Sequence, residues 1–269
     1  MNVKLVAHTQ LSEDFYDSFD EYNDFLEYDG NKIDKFNATD GQAVALTAIR
    51  TCYSANKPSE ILEKEGERYF GRKATDGKGG TDADRLIRMI VSSGHTSTLE
   101  HLSFTFAIEG ISRACLAQLT RHRVGFSFSV QSQRYVKLGS NDKSGGFDYV
   151  VPEKIDNTEV PGTNRYEGIM AEYRKSPMTA QEIYEIFMDT VQETYDLLRK
   201  AGVPAEDARM VLPQATTTNL ILTANLRALL DFYEKRKKGN GAQAEIAELA
   251  ERMKDEVVKV EGWTKPFFK

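Results

Sequence analysis

Residues 102–108 alternate strictly, with Leu102, Phe104, Phe106 and Ile108 on one side and Ser103, Thr105 and Ala107 on the other. A period of two fits an extended strand with one face in a core and excludes a helix, so the chain must supply a sheet here. A helical pattern follows directly. Residues 111–123 read as a helix entered through Ser112 as N-cap. At about 100° per residue, Gln118, Arg121 and His122 share one of its faces while Arg123 points nearly opposite. After Gly125 and two serines interleaved with Phe126 and Phe128, the chain alternates through Ser132 and Arg134, which a strand sets on the same side.

The stretch 118–135 thus gathers cations and neutral donors in an otherwise acidic protein. Guanidinium forks match phosphate oxygens in pairs, and hydroxyl and amide groups fill the remaining lone pairs, which suits a nucleotide monophosphate. A solvated basic helix end would also fit, because the dipole favours arginine at a helix C-terminus. Spacing alone leaves both readings open. The formal charge of −6 argues against a surface that coats a nucleic acid polymer, so any anion is captured locally.

A chain of 269 residues with 40% hydrophobic content can bury a substantial core, and no long apolar run marks a membrane span. The first ten residues, MNVKLVAHTQ, lack the pattern of a secretory signal, so the expected compartment is the cytoplasm. Cys52 and Cys115 show no metal-ligand spacing and are expected as free thiols. Residues 13–40 interleave carboxylates with Phe15, Tyr16, Phe19, Tyr22, Phe25 and Tyr28, either a partner surface or a peripheral insertion whose rings pack inward. Residues 54–80 read as a polar loop with a short helix in the middle. Its Gly77 to Thr81 run has neither the glycine spacing nor the preceding strand of a phosphate loop.

Elsewhere the pattern gives strands at 3–6, 147–151 and 216–222 and helices at 41–51, 223–238 and 242–260. Thr81 with Asp84 and Thr179 with Glu182 form two capping boxes. The first opens a helix that Gly94 ends. The second opens one with a stripe of Ile183, Phe187, Val191, Thr194 and Leu198, ending near Gly202. A further helix starts at Pro204 and sets Glu206 and Arg209 three apart, the spacing of an ordinary ion pair. Mixed strands and helices without regular alternation predict an α+β fold, a mixed or antiparallel sheet flanked by helices. His95, Glu100 and His101 invite a metal reading, but residues six apart do not share a helix face, and a tight polar turn lining a pocket is the preferred one.

Arg121-His122-Arg123, followed after an eight-residue spacer by Ser132-Gln133-Arg134-Tyr135, resembles the signature of the flavin-dependent thymidylate synthases, with a spacer one residue longer than usual. The resemblance extends over 50–245 as an ordered series. It takes in Arg50 to Tyr53, Gly94-His95 with Glu100-His101, Gln118 to Arg123, and Gly202-Val203-Pro204 with Ala208-Arg209. Leu212-Pro213, Asn225 to Arg236 and Gln243-Ala244-Glu245 complete it.

This resemblance implies reductive methylation of dUMP to dTMP, with 5,10-methylenetetrahydrofolate as carbon donor and NADPH as reductant through bound FAD. It implies FAD contacts at Ser97, Arg121, His122, Arg123, Asn225, Arg227 and Asp231. It implies dUMP contacts at Gln118, Arg121, Gln131, Ser132, Gln133, Arg134 and Arg209, and makes Arg236 the arginine that favours ionisation of the uracil ring. No enzyme thiol takes part. It further implies a homotetramer with active sites shared between subunits, and 1–269 as a single catalytic domain. Val130 stands where an acidic residue is common, and 237–242 lacks the flavin-side histidine of some members, with Asn240 as a candidate substitute. Two other classes remain to be weighed: a nucleotide-binding regulator without flavin, and a metal-dependent hydrolase using His95, Glu100 and His101.

Overall fold

In the computed structural model, which describes residues 1–20, 32–33, 38–160 and 178–269 (for 17–20 and 32–33 the backbone alone), the alternating stretch is the strand Ser103–Ser112. The acidic and aromatic segment expected at 13–40 therefore lies largely outside the described residues. In chain order the elements are β1 (Asn2–His8), α1 (Glu13–Asp20), β2 (Lys32–Ile33), β3 (Ala38–Thr39), α2 (Asp40–Thr51), α3 (Ile61–Phe70) and α4 (Asp82–Ser92). Then come β4 (Ser103–Ser112), α5 (Arg113–Leu119), β5 (Phe126–Val130), β6 (Glu159–Val160) and β7 (Met178–Thr179). The chain continues through α6 (Ala180–Lys200), α7 (Ala205–Ala208), β8 (Thr217–Asn225), α8 (Leu226–Arg236) and α9 (Ala244–Val260). Four strands form one sheet in the order β1-β4-β8-β5, and the class is α+β, an antiparallel sheet with flanking helices. No described helix is long and apolar enough to cross a membrane.

Contacts divide the chain into two units. The smaller holds Met1, 109–119 and 130–220; the larger holds 2–108, 120–129 and 221–269.

In the larger unit, Phe104, Phe106 and Ile108 of β4 and Leu222 and Ala224 of β8 are buried, while Thr105 and Thr223 join hydroxyl to hydroxyl at 2.9 Å. Helix α2 packs on α3, α4 and the 3-10 turn Thr96–His101, and α9 packs on β1 and α8. The Thr81 and Asp84 capping box opens α4 as expected, and Gly94, at φ 80°, leaves it. The short helix expected in the middle of 54–80 is α3, which buries Ile61, Leu62, Tyr69 and Phe70. Its Glu65 is buried too, accepting from Arg50 Nε at 2.6 Å, Asn56 Nδ2 at 2.9 Å and the Ser54 hydroxyl. Burial pushes that carboxyl up, and the three donors outweigh it and hold it below its ordinary range.

A second buried carboxylate sits at the start of α2. Glu261 is 1% exposed and accepts from the Gly41 N–H at 3.2 Å, from the Thr39 hydroxyl and from the Trp263 indole. Thr39 in turn accepts the Gln42 N–H at 3.1 Å as N-cap, so the carboxylate finishes the orphan donors of the helix. A Cβ on Gly41 would stand 2.7 Å from Glu261 Cδ, which is why a glycine opens this turn. Burial raises the Glu261 carboxyl above its ordinary range against its three donors, and the neighbouring Asp40 adds to the rise.

The smaller unit has its own core of Phe147, Met188 and Val191, with Leu138, Tyr149, Tyr184 and Leu212 against it. The capping box of Thr179 and Glu182 opens α6. The buried stripe differs from the expected one: it is Met188, Val191 and Tyr195, and Phe187 is 52% exposed. Both stripes pass through Val191, and packing against Phe147 selects the one that runs through Met188 rather than Phe187. The strand expected at 147–151 reduces to an isolated antiparallel bridge between Tyr149 and Thr216. Both cysteines are free, Cys52 exposed and Cys115 buried.

Candidate functional site

The helix expected over 111–123 is cut at both ends. β4 continues through Ser112, whose Oγ accepts the Cys115 N–H at 2.9 Å and so starts α5, and α5 stops at Leu119. Arg121, His122 and Arg123 lie in the turn beyond it, so the shared helical face with Gln118 does not form. The side chain of His122 explains the break. Its ring meets Phe232 edge-on at 5.0 Å and Phe126 at 6.1 Å, and its Nε2 accepts the Arg236 Nε–H at 3.0 Å. Gly125, at φ 74°, completes the turn with its carbonyl on the Asn225 N–H at 3.1 Å. A Cβ there would lie 2.7 Å from both Asn225 Nδ2 and Ala228 Cβ.

Helix α8 carries the rest of this group. Asn225 caps it, its Oδ1 accepting the Ala228 N–H at 2.8 Å. Arg227 pairs with Glu100 and so ties α8 to the 3-10 turn that carries Ser97. Asp231 pairs with Lys235 at 2.8 Å, and Arg236 reaches back to His122. Asn240 donates to the Glu234 carbonyl at 2.8 Å. Burial lowers the proton affinity of His122, the cations Arg236, Lys235 and Arg121 lower it further, and Asp231 opposes them. His95 does not gather ligands: its Nδ1 is hydrogen-bonded to the Tyr53 hydroxyl at 2.9 Å. Among the described residues no group of three or more His, Cys, Asp and Glu side chains could hold a metal ion.

The second group belongs to the smaller unit. β5 ends at Val130, and after the Gln131 N–H bonds Asn219 O at 2.9 Å the chain turns, with Ser132 O accepting from Tyr135 and Val136. Ser132 and Arg134 are therefore on a turn and not on a strand, and Ser132 Oγ accepts the Arg134 N–H at 3.3 Å. The ladder cannot continue because the next positions of the partner chain are taken: the Thr217 N–H goes to Asp148 O and Thr216 O to the Arg113 N–H. Arg134 pairs with Glu206 at 3.0 Å; Arg209, expected to do so, donates instead to the Glu206 carbonyl at 3.0 Å. Gln131 Oε1 accepts from Asn219 Nδ2 at 3.3 Å, and Gln118 is half-buried on α5.

Two features here point outward. Gln133 Nε2 is buried with no acceptor among the described residues, an expensive state for an amide donor. Arg113, absent from the expected site, is half-buried, and among the described residues its guanidinium has no ion-pair or hydrogen-bond partner. Burial lowers its proton affinity, and the charge of Arg209 beside it lowers it further. The sequence did hold a signal. An arginine in the first turn of a helix opposes the dipole, so something other than helix stability placed it there.

The structure thus sorts the expected residues into two groups. Ser97, His122, Asn225, Arg227, Asp231 and Arg236, with the exposed Arg121 and Arg123, belong to the larger unit; Gln118, Gln131 to Arg134 and Arg209 belong to the smaller.

The sequence model of the family described as thymidylate synthase complementing protein matches residues 36–261. The flavin-dependent thymidylate synthase of Geobacter sulfurreducens is 37% identical over 214 residues, covering 80% of this chain and 76% of that protein. In fold, the chain is similar to a UMP/dUMP methylase from Streptomyces cacaoi bound with 5-Br dUMP. The TM-score is 0.62 at 22% identity, over 99% of this chain and 94% of that one. It is similar also to Thymidylate Synthase X from Helicobacter pylori with FAD and dUMP, with a TM-score of 0.58 at 22% identity, over 100% of this chain and 97% of that one.

Proposed function

The chain belongs to the flavin-dependent thymidylate synthase family, and from that premise we propose that it makes dTMP by reductive methylation of dUMP, using 5,10-methylenetetrahydrofolate, NADPH and bound FAD. The observation that carries the substrate reading is Arg113. A half-buried guanidinium with a second one, Arg209, beside it and no carboxylate paired with it among the described residues is stabilised by an entering dianion. The phosphate of dUMP supplies that charge, with Arg134 and the Ser132 hydroxyl as further donors. The orphaned Gln133 amide has a carbonyl or phosphate oxygen to find.

The larger unit fits FAD by the chemistry of its donor set. Arg121 and Arg123 are exposed, and neither has an ion-pair partner among the described residues, so both can meet the diphosphate. His122, Asn225, Arg227, Asp231 and Ser97 would complete the binding surface. Bound there, FAD supplies the two-electron redox chemistry, and the protein binds and orients. Arg236 holds a fixed positive charge where the uracil N3–H becomes acidic and so stabilises the anion. Cys52 and Cys115 take no part. We read the enzyme as a cytoplasmic homotetramer with a single catalytic domain, which sedimentation of the purified protein can test.

The reading is checked by the visible spectrum of the protein and by anaerobic addition of NADPH with and without dUMP. A flavin spectrum that bleaches, followed by dTMP formation when 5,10-methylenetetrahydrofolate is added, is the expected result. A protein that binds dUMP but stays colourless after incubation with FAD would instead be a nucleotide-binding regulator. Ser132→Ala is expected to weaken dUMP binding about tenfold, the value of one charge-assisted hydrogen bond, in isothermal titration. Unchanged affinity would remove Ser132 from the phosphate site.

A further inference from the structure

Arg236 needs a fixed direction, and one of the contacts that set it comes from outside its own helix. It sits in the last turn of α8, where an arginine side chain has several rotatable bonds and solvent on one side. What it meets is an imidazole. The Arg236 Nε–H points at His122 Nε2 at 3.0 Å, and the His122 ring is held from two sides, edge-on against Phe232 at 5.0 Å and tilted against Phe126 at 6.1 Å. Phe232 and Arg236 are one turn apart on α8, so the helix grips the ring and presents the guanidinium to it in successive turns.

This geometry fixes the proton on the ring. Nε2 can accept only as a lone pair, which makes His122 neutral with its hydrogen on Nδ1. A proton arriving at Nε2 removes the acceptor and sets an imidazolium against a guanidinium. The other charged groups facing His122 are Lys235 and Asp231 on α8 and Arg121 in its own turn. Asp231, the anion among them, is already paired with Lys235 at 2.8 Å. Burial and these cations hold His122 below the ordinary histidine range, so the acceptor state is the one present at neutral pH.

We infer that His122 is a positioning residue for Arg236: as a neutral imidazole it accepts the Nε–H and helps to aim the guanidinium, and on taking a proton it loses that bond and repels the arginine. The inference rests on the role given to Arg236 above. It adds that the acidic limit of turnover is set at His122, a residue that neither gives nor receives a proton in the reaction. It also leaves Nδ1–H as the donor that His122 can offer to a bound flavin.

The first test uses the ¹⁵N-labelled full chain without added flavin. Expected are a neutral His122 with the hydrogen on Nδ1 at pH 7, a titration midpoint below about 6.5, and an Arg236 Nε resonance that moves with the same midpoint. In Arg236→Met the His122 midpoint rises, because a cation has gone. An Arg236 resonance that is flat through the His122 titration overturns the inference. The second test is the pH profile of kcat at saturating substrates. The native acid limb should share the His122 midpoint, and in His122→Gln, which keeps an acceptor that does not titrate, that limb should move to lower pH. A limb with an unchanged midpoint in His122→Gln would overturn the inference. A native protein that forms no dTMP would sink the proposed function, and the resonance titration would still decide the relation between the two residues.

Discussion

Alanine in place of Arg236 is expected to lower the rate of dTMP formation by about 100- to 1000-fold while the protein keeps its flavin. The size follows from what the guanidinium does, since removing one preorganised charged donor from a developing anion costs about 3 to 4 kcal/mol. Flavin retention depends on other side chains. Arg227, tied to Glu100, and the exposed Arg121 and Arg123 remain in place. The measurement is kcat at saturating dUMP, with the ratio of flavin to protein absorbance read on the same sample. Turnover within a factor of two of the parent would remove Arg236 from the chemistry. Lysine at 236 should recover part of the loss, since it restores the charge without the planar fork that reaches His122.

The largest effect on stability is expected at Glu261, far along the chain from any of the site motifs. Glu261→Ala strands the Gly41 N–H, the Thr39 hydroxyl and the Trp263 indole in a buried place, and should cost about 3 to 5 kcal/mol in denaturant unfolding. Glu261→Gln keeps the shape and removes the titration. Because burial raises the folded-state pKa above the unfolded one, the contribution of this proton is full below the unfolded value and is lost as pH rises through the folded one. The parent should therefore lose stability relative to Glu261→Gln as pH climbs above about 4.5. A difference between the two that is independent of pH across that range would show that the carboxyl titrates normally in the fold.

Local chemistry was legible in the sequence and long-range competition was not. The capping boxes at Thr81 and Thr179, the strand through Phe104 and Phe106 and the glycine exit at Gly94 formed as expected, since each is decided by residues within one or two turns. The triplet at Arg121 to Arg123 was given the wrong backbone. Helical periodicity runs on past Leu119, whereas Phe232 and Arg236, more than a hundred residues later, pull His122 out of it. Ser132 and Arg134 failed as a strand for a similar reason, because Asp148 and Arg113 occupy the ladder they needed. Helix α3 falls where a short helix was expected, but the burial of its Glu65, bonded to three side chains, was not legible. Arg113 and Glu261 were missed because their meaning depends on what they face.

The order of the sheet governs how this protein is made. β1 pairs with β4, β4 with β8 and β8 with β5, so no two neighbours are consecutive in the chain, and the strand that joins β4 to β5 begins only at Thr217. Closing loops of that size before any ladder energy is gained gives a high contact order and slow folding. Until β8 has left the ribosome, β4 has no partner on one edge, and Phe104, Phe106 and Ile108 lack part of their cover. Folding of this sheet is therefore an event that follows synthesis, and chains that stop short of Asn225 should depend on chaperones and aggregate.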